Sequence, residues 1–273
     1  MASFDTGTED LLADLEEGVL TLTLNRPQAR NAMSGAMNEA LGSQLAAAET
    51  DPEVKVVVLT GAGQGFCAGG DVKGMNERNT GAGRPVTIDE AIATQRLNQR
   101  ATAGKLFRMP KPTIAALPGA AAGAGLSLAL ACDLRVMAKT AIMTTAFARV
   151  GFSGDYGGTY FLTQLVGAAK ARELYFLSER VTADEALRLG LANWVVEPDE
   201  LQARTREIAL RLAKGPTVAY RYMKENLNRA MAGEWDDCMD LEATHHVHCG
   251  QTHDHKEAAR AFVEKREPVF EGR

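Results

Sequence analysis

Two strings in this sequence are suited to chemistry done by the backbone. Gly61 to Asp71 reads GAGQGFCAGGD, and Pro118 to Ser127 reads PGAAAGAGLS. Each directly follows an apolar stretch that reads as a strand. Glycine lets a backbone approach a ligand closely and take left-handed dihedrals. The second string also opens a helix-forming run, whose first N–H groups lack internal acceptors. Free N–H groups at a helix N-terminus stabilise an anion. Three familiar glycine arrangements are excluded. G-x-x-x-x-G-K-[ST] is absent, GAGQG is not G-x-G-x-x-G, and GLSLA around Ser127 is not G-x-S-x-G. The alternative reading is that these glycines only let a helix pack closely on a strand.

A second cluster lies near the C-terminus. HHVHCGQTHDH puts His245, His246, His248, Cys249, His253, Asp254 and His255 within eleven residues, and it holds all five histidines of the chain. These are metal-ligand types. The spacing fits neither H-E-x-x-H nor a zinc-finger pair, although on one helix His245 shares a face with His248 and with Cys249. The expectation is a helix–helix turn near subunit contacts, with Asp254 capping the last helix and no metal. With no histidine before residue 245, Ser127 has no partner for a hydrolase triad.

The elements that position these strings follow from periodicity. Residues 10–24 read as a hairpin turning at Glu16-Glu17-Gly18, with Leu20 to Leu24 a half-buried strand. Met37, Leu41 and Leu45 mark one face of a helix over 35–50. Val54 to Thr60 is apolar and β-branched, like a strand covered on both faces. A helical stretch is expected over 87–108, ending at Pro110-Lys111-Pro112. The strand–turn–helix unit then recurs: Thr113 to Leu117, Pro118-Gly119, and Ala122 to Cys132. Leu134 to Ala138 is another strand, followed by helices at 157–167 and 168–178. Thr182 and Glu185 form a capping box, and Gly190 stops that short helix. Val195-Val196 ends the strands. Residues 200–266 read as three or four helices broken at Gly215-Pro216 and Gly233.

Composition sets the outer limits. A chain of 273 residues with 45% hydrophobic and 24% charged residues is an ordinary globular protein. Its 26 glycines exceed the usual share of about 7%. The net charge of −5 disfavours a nucleic-acid partner. Four scattered cysteines suit reduced thiols in a cytoplasmic protein. The most apolar run, 113–132, is interrupted by Pro118 and glycines, so no membrane span is expected.

Four strings together carry a resemblance: NRPQARNA (Asn25 to Ala32), GFCAGGDVKGM (Gly65 to Met75), PGAAAGAG (Pro118 to Gly125) and GDYGGT (Gly154 to Thr159). In this order and spacing, with AFVEKREPVF (Ala261 to Phe270), they resemble the crotonase superfamily, the enoyl-CoA hydratase/isomerase family. The likeness spans about residues 10–270. It implies an α/β fold, a crotonase-like spiral of ββα units with a helical C-terminal region used for trimerisation. Residues 1–199 would form the core with the acyl-CoA site, and 200–273 the oligomerisation region of a homotrimer or dimer of trimers. It implies an acyl-CoA thioester as substrate, with no cofactor beyond the coenzyme A that the substrate carries. By motif position, the backbone N–H groups of Gly70 and Ala124 would hold the thioester oxygen. Ala29, Arg30, Ala68, Lys73, Phe262 and Lys265 would contact coenzyme A. Lys73 and Lys265 also fit ordinary surface lysines, and Arg26 fits a turn-holding role.

The carboxylates bear on the reaction. Hydration in this family uses two glutamates, and their positions here hold Ser127 and Phe147. Asp155 instead stands where isomerase branches carry a catalytic aspartate. The closest likeness is to the branch acting on the ring-epoxide acyl-CoA of phenylacetate breakdown. One carboxylate can take a proton from one carbon and return it to another. An apolar pocket beside Phe147 and Phe152 would raise its pKa. Asp155 could instead cap the helix starting near Gly157, while Asp71 is expected to make local turn contacts. The expectation is an acyl-CoA isomerase with Asp155 as acid and base. The alternatives are a 2-enoyl-CoA hydratase with atypical acid–base residues, or a non-catalytic binding protein on the same fold.

Overall fold

The computed structural model describes residues 2–71 and 86–273. Lys73, one expected coenzyme A contact, lies outside the described residues.

The chain opens with β1 (Ala2–Phe4), β2 (Leu11–Glu16) and β3 (Val19–Leu24), all antiparallel. Glu17 and Gly18 both take positive φ, 50° and 79°, the two-residue turn that matches strand twist. Helix α1 (Gly35–Thr50) starts at Ser34, whose hydroxyl accepts the Met37 N–H at 3.0 Å. It buries Met37, Ala40, Leu41, Leu45 and Ala48, the helical repeat expected from sequence.

A two-strand step then recurs. The pair β4 (Val56–Gly61) and β5 (Gly65–Cys67) precedes α2 (Ile88–Ala101) and α3 (Ala103–Arg108). The pair β6 (Thr113–Leu117) and β7 (Ala120–Ala122) precedes α4 (Ala124–Ala131). The pair β8 (Leu134–Ala138) and β9 (Ile142–Thr144) precedes α5 (Gly158–Leu177). Each first strand joins a seven-stranded sheet of order β1-β2-β3-β4-β6-β8-β11, parallel from β3 onward. Each second strand joins a four-stranded sheet of order β10-β9-β7-β5. This is a spiral of ββα turns. Strand β10 (Val181–Thr182), α6 (Ala183–Arg188) and β11 (Trp194–Val196) finish it.

The remaining helices are α7 (Leu201–Ala213), α8 (Thr217–Ala230), α9 (Trp235–Gln251) and α10 (His253–Glu264). The first of them buries Leu201, Ile208 and Ala209 in the same core as the large sheet.

Two expectations need adjustment and a third holds. The helical stretch over 87–108 breaks at Thr102, whose φ and ψ of −111° and −88° are not helical. The two helices expected at 157–167 and 168–178 are both present within α5, meeting at a kink at Gly167, whose φ 77° and ψ 162° are not helical. The box at residues 182–185 is half made: Thr182 accepts the Glu185 N–H at 3.4 Å, while the Glu185 carboxylate turns to Arg188 at 2.5 Å.

Candidate active site

The two glycine strings lie back to back. Strand β5 pairs with β7 in parallel, so the loop after Cys67 runs beside the loop that opens α4. Gly69, at φ 93°, lies so close to that loop that a Cβ would sit 2.8 Å from the Ala122 oxygen and 3.3 Å from the Ala124 nitrogen. A Cβ on Gly125 would sit 2.4 Å from the Cys67 oxygen and 2.8 Å from its sulfur. These glycines therefore seat the two loops against each other. Close packing and free backbone donors turn out to be one arrangement rather than alternatives.

The donors follow from the peptide geometry. The Gly69 carbonyl accepts the Met33 N–H at 2.8 Å. In a trans peptide the next N–H points the opposite way, so the Gly70 N–H turns from Met33. Ala124 is the first residue of a helix buried along its whole length, and its N–H has no intrahelical acceptor. Neither N–H finds an acceptor among the described residues. Two unspent donors on adjoining loops, one at a helix N-terminus, are suited to a developing oxyanion.

The Asp155 loop packs against α4, where a Cβ on Gly158 would lie 2.3 Å from Ser127 Oγ. The Asp155 charge acts on the Cys67 thiol, which burial first and Asp155 last push up to about 12. Asp155 Oδ1 is buried with no hydrogen-bond partner. Burial raises the Asp155 carboxyl to about 6. The side chain caps nothing: α5 begins after Gly157, and only the Asp155 backbone carbonyl takes the Gly158 N–H, at 3.0 Å. The expected apolar wall is corrected in one member. Phe147 is buried and stacks on Tyr175 at 5.8 Å and 9°, while Phe152 is 56% exposed. Ser127 is buried and donates to the Gly123 carbonyl at 3.3 Å. Neither of these positions supplies an acid or a base.

The neighbour of Asp155 is held from two helices. Tyr156 has φ 49°, unusual for an aromatic residue. Its N–H donates to the Gln99 side-chain oxygen at 2.5 Å, from α2, and its hydroxyl donates to Asn38 Oδ1 at 3.3 Å, from α1. Sequence reading overlooked Gln99 and Asn38, since neither stands in a motif.

The turn after β3 supplies a groove of about 480 Å³. Residues Pro27–Ala29 form a single 3-10 turn and Arg30 ends it at φ 51°. Asn31 is fully buried and donates to Ala62 at 2.9 Å and to Gly65 at 2.8 Å, pinning this turn to the β4–β5 loop. Arg26 holds the same turn through Ala32 at 2.8 Å and Asp71 at 3.1 Å. The Arg30 carbonyl accepts the Ala68 N–H at 3.0 Å. Arg30 and Ala68 thus meet in one groove, while Ala29, half-buried, is not among the residues that line it. Arg149 and Arg180 complete the lining, and no carboxylate among the described residues pairs with them or with Arg30. The sequence reading passed over both, because they come from a 3-10 turn and a loop far apart in the chain. Phe262, 85% exposed, and Lys265, at φ 54°, end α10 and do not line this groove within one chain.

The histidine string spreads over two helices. His245 is buried, meets Asn226 Oδ1 at 2.6 Å and packs on Tyr222 at 4.2 Å. Thr252, not Asp254, caps α10 by accepting the His255 N–H at 3.1 Å. Asp254 instead accepts the N–H groups of Glu271 and Gly272 at 2.8 and 2.9 Å, anchoring the C-terminal tail. No group of three metal-ligand side chains converges among the described residues.

Known proteins share this arrangement of elements. The enoyl-CoA hydratase/isomerase family profile matches residues 14–273. A 1,2-epoxyphenylacetyl-CoA isomerase of Escherichia coli K12 is 36% identical over 265 residues, 97% of this chain and 99% of that protein. A short-chain-enoyl-CoA hydratase of Clostridium acetobutylicum is 36% identical over 262 residues, 94% and 95% of the two chains. The solved structure of a putative enoyl-CoA hydratase from Streptomyces coelicolor A3(2) matches with a TM-score of 0.91 at 34% identity, over 97% of this chain and 94% of that one. With two sheets wound as a ββα spiral and paired backbone donors between them, this chain is a member of the enoyl-CoA hydratase/isomerase family of the crotonase superfamily.

Proposed function

We propose that this protein isomerises an unsaturated or ring-derived acyl-CoA through a thioester enolate, with Asp155 as acid and base. The observation that carries the reading is the Asp155 carboxyl, whose Oδ1 is buried without a partner, within electrostatic reach of Cys67 on the first of the two glycine loops. The Asp155 carboxylate takes a proton from a carbon next to the double bond. The electrons move onto the thioester oxygen, which the Gly70 and Ala124 N–H groups hold. The protonated Asp155 then returns the proton to the carbon at the far end of the conjugated system. The double bond shifts, no water is consumed, and the enzyme regains its starting state. A carboxyl near 6 suits both halves of this exchange. No cofactor beyond the coenzyme A of the substrate enters the scheme.

Coenzyme A fits the groove by charge. Arg30, Arg149 and Arg180 would face its phosphates, and Ala68 its adenine through the backbone. Ala29, in the turn before Arg30, remains a further contact in this proposal. Lys73, Phe262 and Lys265 remain further contacts in this proposal, the last two delivered by association of chains through the C-terminal helices.

The test is a panel of unsaturated and aromatic-ring CoA esters, scored for isomerised against hydrated product. Asp155→Asn should reduce isomerisation at least a thousandfold while leaving CoA-ester binding within about twofold. Full activity in that variant would sink the mechanism. Efficient hydration of crotonyl-CoA by the wild type would favour the hydratase reading, which the Clostridium acetobutylicum relative keeps open.

A further inference from the structure

A second unpartnered polar group packs against the Asp155 loop. The Tyr175 hydroxyl comes from the far end of α5, a different part of the chain from the Asp155 loop. It reaches that loop on both sides of Asp155: a Cβ on Gly154 would lie 3.4 Å from it, and one on Gly158 would lie 2.7 Å from it. The same Gly158 position would lie 2.3 Å from Ser127 Oγ, so the phenol also adjoins α4. The ring is held by its stack on Phe147. Phe147 in turn adjoins the start of α4, since a Cβ on Gly123 would lie 3.7 Å from Phe147 Cε1. Yet the hydroxyl has no hydrogen-bond partner among the described residues, the one bond to Tyr175 outside its helix going from Ser178 Oγ to its main-chain carbonyl. Ser127 Oγ is spent on the Gly123 carbonyl, and Asp155 Oδ1 is itself unpaired.

A half-buried phenol on a rigid ring, beside the reacting carboxylate and without a partner, is a donor waiting for an acceptor. The natural supplier of that acceptor is the ligand. We infer that Tyr175 contacts the substrate and donates a hydrogen bond to an oxygen borne by the acyl group, so that the preferred substrates are acyl-CoAs with a hydroxyl, keto or cyclic ether oxygen near the reacting carbons. This rests on the assignment of the acyl group to the space between Asp155 and the paired N–H donors. Desolvation, reinforced by the Asp155 charge, raises the Tyr175 pKa, so the phenol stays a donor throughout the working range. A purely hydrocarbon chain leaves that hydroxyl dry and unsatisfied, which penalises its binding. A site that offers a hydrogen bond rejects the analogue lacking the partner group more strongly than an apolar pocket rejects an added one.

The experiment separates this inference from the reaction itself by using saturated esters, which no double-bond shift can touch. Calorimetry measures the dissociation constants of hexanoyl-CoA and of its 3-, 4- and 5-hydroxy derivatives with wild type and Tyr175→Phe. That variant keeps the ring and its stack, and a thermal melt checks that it folds. For at least one hydroxylated ester, wild type should bind about tenfold more tightly than it binds hexanoyl-CoA, and Tyr175→Phe should reduce that discrimination to within about twofold. Equal discrimination in the two proteins, or none in wild type for any of the esters, overturns the inference. A parallel assay of 3-hexenoyl-CoA turnover reports on the isomerase reading alone. Failure there with discrimination intact leaves Tyr175 as a ligand contact and removes only the reaction.

Discussion

Asp155 lacks a hydrogen-bond partner for Oδ1, and that fixes how the protein should respond to pH. Its carboxyl lies near 6 in the fold, above the ordinary carboxylate value, because burial disfavours the ion. As a base it must be ionised, so kcat/KM should be level above about pH 7 and fall tenfold per pH unit below about 6. A pH–rate profile checks this, and one that stays level down to pH 4.5 would contradict it. Stability runs the other way. A raised carboxyl means the fold binds its proton more tightly than the unfolded chain does, so ionisation costs stability above about pH 6. That cost shrinks as pH falls from 6 towards 4 and is absent below the unfolded value. Asp155→Asn should therefore melt above wild type at pH 8, with the difference gone by pH 4. The groove arginines give a second expectation at this scale. Arg149→Ala and Arg180→Ala should each raise KM for acyl-CoA roughly three- to tenfold with little change in kcat, and the effect should weaken at high salt. An unchanged KM in both would remove the groove from coenzyme A binding.

Among the elements, α2 and α4 do different jobs for the same site. Helix α4 presents its N-terminus and is seated by Gly125 on the Cys67 backbone. A Cβ added by Gly125→Ala would meet the Cys67 carbonyl oxygen at 2.4 Å and its Cβ at 2.6 Å, neither of which can swing aside, and the change should cost roughly 2–3 kcal/mol in denaturant unfolding. Helix α2 acts through Gln99, which holds the strained Tyr156 next to Asp155. Gln99→Leu should lower kcat about tenfold or more with KM nearly constant, since it leaves an N–H unpaired and lets Asp155 drift. Gln99→Glu keeps the acceptor and should restore most of kcat. Its added negative charge should also shift the acid limb of the pH profile upward. Equal losses in both variants would mean that the side chain only fills space.

Much at this scale was legible in advance. Apolar runs of five or six residues, such as Val56–Gly61 and Thr113–Leu117, announce the large sheet. The small sheet escaped notice because its strands are two or three residues long, too short for alternation to register. The two adjoining glycine loops with their unspent N–H groups could be read from motif strings, as could the position of Asp155. Gln99, Asn38, Asn31 and the groove arginines could not, because each joins the site through a contact between distant elements.

For the molecule as a whole, the C-terminal helices leave Met223, Leu227, Trp235, Met239, Val247, Phe262 and Val263 exposed. We propose that these apolar side chains are where chains associate. Sedimentation should give three or six times the 29.3 kDa chain mass, and Trp235→Glu with Met239→Glu should shift it toward one. A wild-type monomer would contradict the expected trimer. Among the described residues no helix is long and apolar enough to cross a membrane. Finally, the paired donors belong to the main chain, at Gly70 and Ala124. An alanine scan would therefore pass over the groups that hold the oxyanion in the proposed mechanism. In a full substitution map, tolerance around residues 69–70 and 123–125 would track the room for a methyl group and the presence of an amide hydrogen, with proline the most harmful replacement at 124. The chemical identity of the side chains there would matter little.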